Sequence, residues 1–269
     1  MSIIENALAL AKARGEGVPS GTRARRAPAE PTVGVETRPT RQFETVTLNP
    51  VALESNCVLP QVADRAALRA YKILRTRLLR RLTAEQWSWI ALTSTKAGEG
   101  KTLTSINLAM ALASEPNTHV CLVDLDLPRP QVAAQIGIRC ERGLGDYLLG
   151  EAEALQVIYS CGSPNLLVIP NNRSFDHSSE MLASARMLEL LRVIETELPN
   201  HIVIFDMPPL TSDDALAFAP RVDGVLLVVA EGQTERSAVV KAQEMLAEMN
   251  LIGVVLNRSE ERDDAPSYY

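Results

Sequence analysis

The segment T-K-A-G-E-G-K-T combines residue types that suit the binding of phosphate groups, and it stands between an apolar strand-like run and a helical pattern. Gly98 and Gly100 allow the backbone to approach an anion and to turn its N–H groups toward it. Lys101 brings a positive charge to the phosphates, and the Thr102 hydroxyl is a ligand type for Mg²⁺. Since Thr95 stands where the usual motif has its first glycine, the segment alone is also compatible with a chance glycine-rich turn.

Three aspartates follow apolar runs at the points where strands are expected to end. Asp124 and Asp126 come after V-C-L-V, and Asp206 comes after I-V-I-F. Carboxylates at such positions are costly unless they meet a cation or water, and ligands of open parallel sheets bind at that edge. A single aspartate there is often only a helix cap. The three together with Thr102 favour a magnesium site, because Mg²⁺ prefers oxygen ligands.

Apolar runs that suit strands alternate with helical segments along most of the chain. Near-continuous apolar strands separated by helices indicate a parallel sheet covered on both faces. The predicted fold class is therefore α/β, a doubly wound and mainly parallel sheet with helices on both faces. The predicted strands are S-W-I-A-L-T-S, H-V-C-L-V-D-L, N-L-L-V-I-P, H-I-V-I-F-D, G-V-L-L-V-V-A and L-I-G-V-V-L-N, and the predicted helices include Thr102–Ser114, Ser179–Glu197 and Thr234–Met249.

Composition divides the chain into three parts. Residues 1–60 hold six of the sixteen prolines and nearly balanced charges, which predicts a flexible arm that begins with a short amphipathic helix. That helix is equally compatible with docking to a partner and with a frayed or self-packed state. Residues 61–260 carry the alternating pattern and form the predicted P-loop domain. Residues 261–269 are acidic and predict a mobile tail that ends in two tyrosines.

Several classes of protein are disfavoured by composition. The net charge of −6 argues against a global basic field for nucleic acid, although it is compatible with a local basic patch, and the aromatic content of 4% argues against a base-stacking surface. The four cysteines form no Cys-x-x-Cys pair, which predicts buried thiols rather than a zinc site. No apolar run approaches the roughly 18 residues of a membrane span, and the first residues lack the pattern of a signal peptide. We therefore expect a cytoplasmic protein.

Residues 64–82 show apolar residues at helical spacing, surrounded by positive charges. A solvated face is the ordinary interpretation of such charges, and a basic oligomer interface is the alternative. The basic residues are Arg65, Arg69, Lys72, Arg77, Arg80 and Arg81.

In combination, the motifs resemble those of bacterial tyrosine kinases, a group within the MinD/ParA-like deviant Walker ATPases. Lys96 lies five residues before Lys101, as in the deviant Walker motif. D-L-D resembles the Walker A′ motif of these kinases and D-M-P-P their Walker B motif. E-M-L-A-S and R-A-Y-K-I-L-R-T are similar to further stretches of the family. The opening S-I-I-E-N-A-L-A-L-A-K-A-R-G and the stretch V-A-L-E-S-N-C-V-L-P are similar to the branch linked to exosortase and exopolysaccharide export.

The resemblance implies an ATP-dependent protein tyrosine autokinase that regulates polysaccharide polymerisation and export. Such kinases use ATP and Mg²⁺, form oligomers or rings, and phosphorylate the C-terminal tail of a neighbouring subunit. Tyr268 and Tyr269 are then the phosphoacceptors. A membrane-bound polysaccharide co-polymerase is the expected partner and activator, and no nucleic acid is expected. This partner places a cytoplasmic chain peripherally at the inner face of the cell membrane.

The resemblance also implies roles for individual residues. Lys101, Asp124 and Asp126 are the catalytic residues, and Asp124 lies near the acceptor hydroxyl or the metal. Thr102, Asp126 and Asp206 hold magnesium, directly or through water. The nucleotide contacts are Thr95, Lys96, Ala97, Gly98, Glu99, Gly100, Lys101, Thr102 and Leu103 in the loop, with Asn257 and Arg258 beside the adenine.

Some residues depart from the family pattern and keep two alternatives open. Arg69, Lys72 and Arg75 occupy the places of the E-x-x-R-x-x-R interface motif. Lys96 is typical of partition ATPases, where it reaches across a nucleotide-sandwiched dimer. The first alternative is therefore a nucleotide-switched positioning ATPase of the MinD/ParA type. The second is a kinase-inactive, ATP-binding regulatory subunit of the co-polymerase.

Overall fold

The computed structural model describes residues 43–61 and 64–259. Most of the predicted N-terminal arm and the tail with Tyr268 and Tyr269 lie outside the described residues. The strands are β1 (Glu44–Val46), β2 (Trp89–Ser94), β3 (His119–Asp124), β4 (Tyr159–Cys161), β5 (Leu166–Ile169), β6 (His201–Asp206), β7 (Gly224–Ala230) and β8 (Leu251–Asn257). The α-helices are α1 (Pro50–Ser55), α2 (Arg65–Glu85), α3 (Lys101–Ala113), α4 (Val132–Ile136), α5 (Leu144–Leu149), α6 (Ser178–Ala183), α7 (Ala185–Glu197), α8 (Asp213–Phe218) and α9 (Arg236–Met245).

The strands form one eight-stranded sheet in the order β1-β4-β5-β3-β6-β2-β7-β8. The six strands from β5 to β8 in this order run parallel to one another. β4 pairs antiparallel with β5, and β1 pairs parallel with β4, so these two edge strands run opposite to the other six. The carboxyl ends of β2, β3, β6 and β7 therefore meet at one edge of the sheet.

Two apolar cores cover the two faces of the sheet. Residues of β2 and β7 are buried along their whole length, as expected for central parallel strands covered on both sides. Helices α1 to α4 bury apolar side chains against one face, and α5 to α9 bury theirs against the other. On the second face Trp89, Phe205 and Phe218 form a chain of tilted aromatic contacts with ring centroids 5.4 and 5.1 Å apart. The doubly wound fold predicted from the sequence is confirmed.

Each of the six predicted strands is present, but one predicted helix is divided. Residues 179–197 form two helices that are separated at Ser184, where the backbone is extended at ψ 156°. The Ser184 hydroxyl accepts a hydrogen bond from the Met187 N–H at 3.1 Å and caps α7. Apolar residues at helical spacing continue through both helices, so the pattern does not indicate the break. Ser184 does not indicate it either, because a serine at an N-cap is compatible with a helical pattern on both sides.

The folded part begins earlier than the predicted boundary at residue 61. Strand β1 joins the sheet, and α1 places Leu53 in the core together with Val58 and Leu59. Asn49 caps α1 by accepting hydrogen bonds from two backbone N–H groups. A three-residue strand and a six-residue helix are too short to produce a periodic signal, which explains why the sequence pattern placed them in the arm. Among the described helices, none is long and apolar enough to cross a membrane.

Candidate active site

The loop between β2 and α3 has the geometry of a phosphate-binding loop. Gly98 and Gly100 have φ angles of 86° and 90°, in the left-handed region that favours glycine. A Cβ atom at Gly100 would lie 2.0 Å from Nδ2 of Asn257, so close approach as well as backbone conformation requires glycine there. Helix α3 starts at Lys101, and its first N–H groups and dipole face the loop. These features suit an anion at the start of α3.

Lys101 is the centre of a buried ionic network at the carboxyl edge of the sheet. Its Nζ lies 2.6 Å from Oδ2 of Asp126 and 3.5 Å from Oδ2 of Asp206. The same Nζ donates a hydrogen bond of 3.1 Å to the Thr102 hydroxyl. The predicted catalytic lysine is thus brought together with both carboxylates that were predicted to hold the metal.

Asp206 accepts hydrogen bonds from two hydroxyls of the first turns of α3. Thr102 donates to Oδ2 at 2.7 Å, and Ser105 donates to Oδ1 at 3.0 Å. Ser105 was not predicted as a site residue. It lies four residues after Lys101 and therefore on the same face of the helix, but serine at that spacing is too common to be a signal.

Asp124 is fully buried, and backbone N–H groups engage both of its oxygens. Oδ2 accepts hydrogen bonds from Gln131 at 3.1 Å and Val132 at 3.0 Å, and Oδ1 accepts a weaker one from Asp126 at 3.3 Å. This carboxylate therefore holds the turn that leads from β3 into α4. Its predicted role beside an acceptor hydroxyl stays a prediction.

Burial and repulsion between the carboxylates shift the pKa values in this cluster. Burial raises the pKa of Asp124 well above its usual range, and the neighbouring charge of Asp206 adds to the effect. Burial also raises the pKa of Asp206, although Lys101 opposes this. Burial alone would lower the pKa of Lys101, but the carboxylates of Asp206 and Asp126 raise it on balance, so the ammonium stays charged.

The donor set suits a magnesium ion that shares its coordination with phosphate oxygens. Within the described residues, no group of three or more His, Cys, Asp and Glu side chains is arranged to hold a metal by itself. Mg²⁺ at phosphate-transfer sites uses one or two carboxylates, a hydroxyl, phosphate oxygens and water. Thr102 and Asp206, which are in direct contact, with Asp126 on the other side of Lys101, provide the protein part of such a set.

Three other predicted nucleotide contacts, two from the end of β8 and one from the loop itself, connect the loop to the β7 and β8 side of the sheet. Asn257 donates from Nδ2 to the Glu99 carbonyl at 2.9 Å, and Arg258 donates from Nη2 to the Gly98 carbonyl at 2.8 Å. Lys96 donates from Nζ to the Gln233 carbonyl at 2.8 Å, within its own subunit. Asn257 and Arg258 thus lie against the loop, and their predicted place beside the adenine stays a prediction.

The remaining predicted loop residues divide between the surface and the core. Ala97 is exposed at the tip of the loop, whereas Leu103 packs against the core on the α3 side of the sheet. Glu99 is buried, and its carboxylate accepts hydrogen bonds from Thr95 and Lys96 of the loop and from Thr234 outside it.

The basic helix α2 keeps most of its charges in solvent, but not Arg75. Arg69 and Lys72 are exposed, as is Ile73 beside them. Arg75 instead forms an ion pair with Glu115 and donates to the Ala111 carbonyl at 3.3 Å, at the end of α3. Arg75 therefore joins two helices of one subunit, whereas its neighbours face outward.

Comparison with known proteins identifies relatives in sequence and in fold. The family model of ParA, described as NUBPL iron-transfer P-loop NTPase, matches residues 86–264, more than half of the chain. The tyrosine-protein kinase YwqD of Bacillus subtilis is 31% identical over 190 residues, which are 70% of this chain and 79% of that protein. The succinoglycan biosynthesis transport protein ExoP of Rhizobium meliloti is 30% identical over 64% of this chain, but only 22% of that larger protein is covered.

Solved structures give the same result. The kinase domain of the Escherichia coli tyrosine kinase ETK is 28% identical, with a TM-score of 0.69, over 81% of this chain and 82% of that chain. The cell-division ATPase MinD of Pyrococcus furiosus is less similar, with a TM-score of 0.54 over 65% of this chain. The kinase branch is thus favoured over the positioning-ATPase alternative. The chain belongs to the bacterial tyrosine-protein kinases, within the ParA-like P-loop NTPases.

Proposed function

We propose that this chain is an ATP-dependent tyrosine autokinase that phosphorylates Tyr268 and Tyr269 in the tail of a neighbouring subunit. The observation that carries the proposal is the position of Lys101, whose ammonium lies between Asp126 and Asp206 at the start of α3. A P-loop with two left-handed glycines stands directly before it. This arrangement places a fixed positive charge, two hydroxyls and two carboxylates around one point at the carboxyl edge of the sheet.

Mg²⁺-ATP fits the residues present at this point. Lys101 and the N–H groups at the start of α3 would hold the phosphates, and Thr102, Asp206 and Asp126 would hold magnesium. When bound, the metal neutralises charge that develops on the phosphates during transfer. Asn257 and Arg258, already in contact with the loop, would border the adenine. The side chains act mainly by positioning and by compensating charge, as in other phosphoryl transfers.

The acceptor tyrosine needs a group that takes up its proton. A tyrosine hydroxyl has an ordinary pKa of about 10, so it is protonated at neutral pH. Asp126 contacts Lys101 two residues beyond the end of β3, and Asp124 is the last residue of that strand. These two carboxylates are the proposed proton acceptors, as the family resemblance implies. Burial raises the pKa of Asp124, which makes its carboxylate a stronger base than an exposed aspartate.

A membrane-bound polysaccharide co-polymerase is the proposed activator, and polysaccharide polymerisation and export the proposed process. The similarity to ExoP, which is named as a transport protein of succinoglycan biosynthesis, supports this part of the proposal. The matched segment is only 22% of ExoP. The chain would then act at the cytoplasmic face of the membrane.

Mass spectrometry of the intact chain and of its peptides, after incubation with Mg²⁺-ATP, tests the proposal. We expect phosphate on Tyr268 or Tyr269 in the wild type, none in Lys101→Met, and none on the tail of the double variant Tyr268→Phe/Tyr269→Phe. Lys241→Met, at an exposed lysine on α9, is the matched control and should behave as the wild type. The assay is run with and without the cytoplasmic segment of the co-polymerase. ATP binding without tail phosphate in both conditions would contradict the kinase proposal and favour the regulatory subunit.

A further inference from the structure

Glu99 is a buried carboxylate inside the phosphate loop that has no part in the proposed chemistry. Its side chain is only 1% exposed. Oε2 accepts hydrogen bonds from the N–H groups of Thr95 at 2.7 Å and Lys96 at 3.1 Å. Oε1 accepts one from the Thr95 hydroxyl at 2.7 Å. These three bonds close the loop on itself around the residue that replaces the first glycine of the usual motif.

The fourth hydrogen bond of Glu99 leaves the loop. The Thr234 hydroxyl, in the turn between β7 and α9, donates to Oε1 of Glu99. Thr234 is fixed in turn, since its hydroxyl oxygen accepts a hydrogen bond from the Ala230 N–H at 2.9 Å at the end of β7. The carboxylate therefore connects the phosphate loop to the end of a central strand.

A second set of contacts joins the same two segments through Gln233. Lys96 of the loop donates to its carbonyl, and Arg258 donates from Nη1 to its Oε1 at 2.8 Å. Arg258 also donates to the Gly98 carbonyl. These contacts are at the surface, whereas the two Glu99 bonds from Thr95 are buried and those from Lys96 and Thr234 are partly buried, so all four are better shielded from competition with water.

We propose that Glu99 is a positioning residue, which anchors the phosphate loop to the turn between β7 and α9 and thereby sets the affinity for ATP. A loop with two glycines has many conformations to lose when it binds a phosphate. An anchor that already fixes the loop lowers this cost at the moment of binding. The inference rests on the proposed function, since it takes ATP as the ligand of the loop.

The hydrogen bonds of Glu99 allow variants that distinguish a positioning role of this side chain from an effect of its negative charge. In Glu99→Gln, the amide oxygen at the Oε2 position still accepts from both backbone N–H groups. Its NH₂ group donates to the hydroxyls of Thr95 and Thr234, which rotate to accept. Gln therefore keeps all four contacts without the charge, whereas Ala loses all of them. Thr234→Val removes the contact that leaves the loop, together with the bond from the Ala230 N–H, and keeps the three contacts inside the loop.

Two measurements on the full chain test the anchor. The first is the equilibrium affinity for Mg²⁺-ATP by calorimetry, and the second is amide hydrogen exchange of the nucleotide-free protein. We expect Glu99→Ala to weaken ATP binding at least tenfold and Glu99→Gln to stay within about threefold of the wild type. Thr234→Val should weaken binding by an intermediate factor and should also speed exchange of residues 95–99, although it lies in another segment. Thr196→Val, at an exposed threonine on α7, is the control.

If Glu99→Gln weakened ATP binding as much as Glu99→Ala, the proposal would be overturned, because the negative charge and not the hydrogen bonds would then set the affinity. Unchanged exchange of residues 95–99 in both Glu99→Ala and Thr234→Val would show that the turn does not hold the loop. A wild-type chain that does not bind ATP would defeat the proposed function, whereas the exchange measurement still decides whether Glu99 anchors the loop.

Discussion

Lys101, Asp126 and Asp206 show how one cation and two carboxylates share a site that excludes water. A buried carboxylate without a partner is strongly destabilised, so the three side chains depend on one another. The Thr102 and Ser105 hydroxyls complete the coordination of Asp206. The consequence for function is that phosphate binding must exchange partners within an existing network rather than assemble a new one.

A prediction at the scale of the residue concerns Asp124. Because burial raises the pKa of this carboxyl in the folded protein, the folded state holds a proton that the unfolded state has lost above about pH 4. The free energy of unfolding of the wild type therefore falls as the pH rises through that window. Asp124→Asn lacks this group, so its stability relative to the wild type should increase with pH, by up to about 1.4 kcal/mol per pH unit inside the window.

Urea unfolding from pH 4 to pH 8, without nucleotide and with a metal chelator, measures this difference. Asp176→Asn, at an exposed carboxyl, is the matched control and should show a constant difference from the wild type. A stability difference for Asp124→Asn that does not change with pH would contradict the prediction.

At the scale of the element, the turn from β2 into α3 shows two different reasons for a glycine, which are a positive φ angle and the lack of space for a Cβ atom. Gly98 and Gly100 both have positive φ, but a Cβ at Gly98 has no atom within 4 Å, while one at Gly100 collides with Asn257. Gly98→Ala should therefore cost about 1–2 kcal/mol, which comes from the positive φ angle alone. Gly100→Ala meets a comparable cost and also displaces the strand-end residue that holds the loop.

We expect Gly98→Ala to raise the Kd for ATP by about tenfold at most. Gly100→Ala should raise this Kd at least ten times more than Gly98→Ala does. In the double variant Gly100→Ala/Asn257→Ala the collision is absent, so its loss of affinity should be smaller than the product of the losses of Gly100→Ala and Asn257→Ala. Calorimetric titration of the wild type, the three single variants and the double variant with Mg²⁺-ATP measures the effects. Equal losses for the two glycine variants would rule out the steric explanation.

At the scale of the whole molecule, the folded body includes residues before the predicted boundary at residue 61. Leu53 of α1 is 2% exposed, whereas Val51, in the same helix, is 71% exposed. Leu53→Ala should lower the free energy of unfolding by roughly 2–4 kcal/mol, because it leaves a cavity in the core. Val51→Ala should change it by less than about 0.5 kcal/mol. Chemical denaturation of both variants tests whether α1 is part of the cooperative fold, and equal small effects would exclude it.

The sequence predicted the elements that are long enough to show a recognisable pattern of apolar residues. The six apolar runs became the six parallel strands. Lys101, Thr102, Asp126 and Asp206 meet because the first two start α3 and the other two lie at or just beyond the end of a strand. Strands β1 and β4 have only three residues each, so tertiary pairing rather than local pattern decides them. The contacts of Glu99 were not predictable either, because Thr234 lies 135 residues away and neither residue type is distinctive there.

The reversed direction of β1 has a consequence for how a partner and a substrate are brought together. Since β1 runs opposite to the six parallel strands, the chain enters it from the side of the carboxyl edge, and the chain also leaves β8 on that side. Phe43 and Ser259 therefore both lie on the side of the sheet that carries the candidate active site, at its two opposite edges. If the residues before Phe43 bind a partner and the tail is the phosphoacceptor as proposed, the lengths of the two connecting segments would set the effective concentration of one around the other.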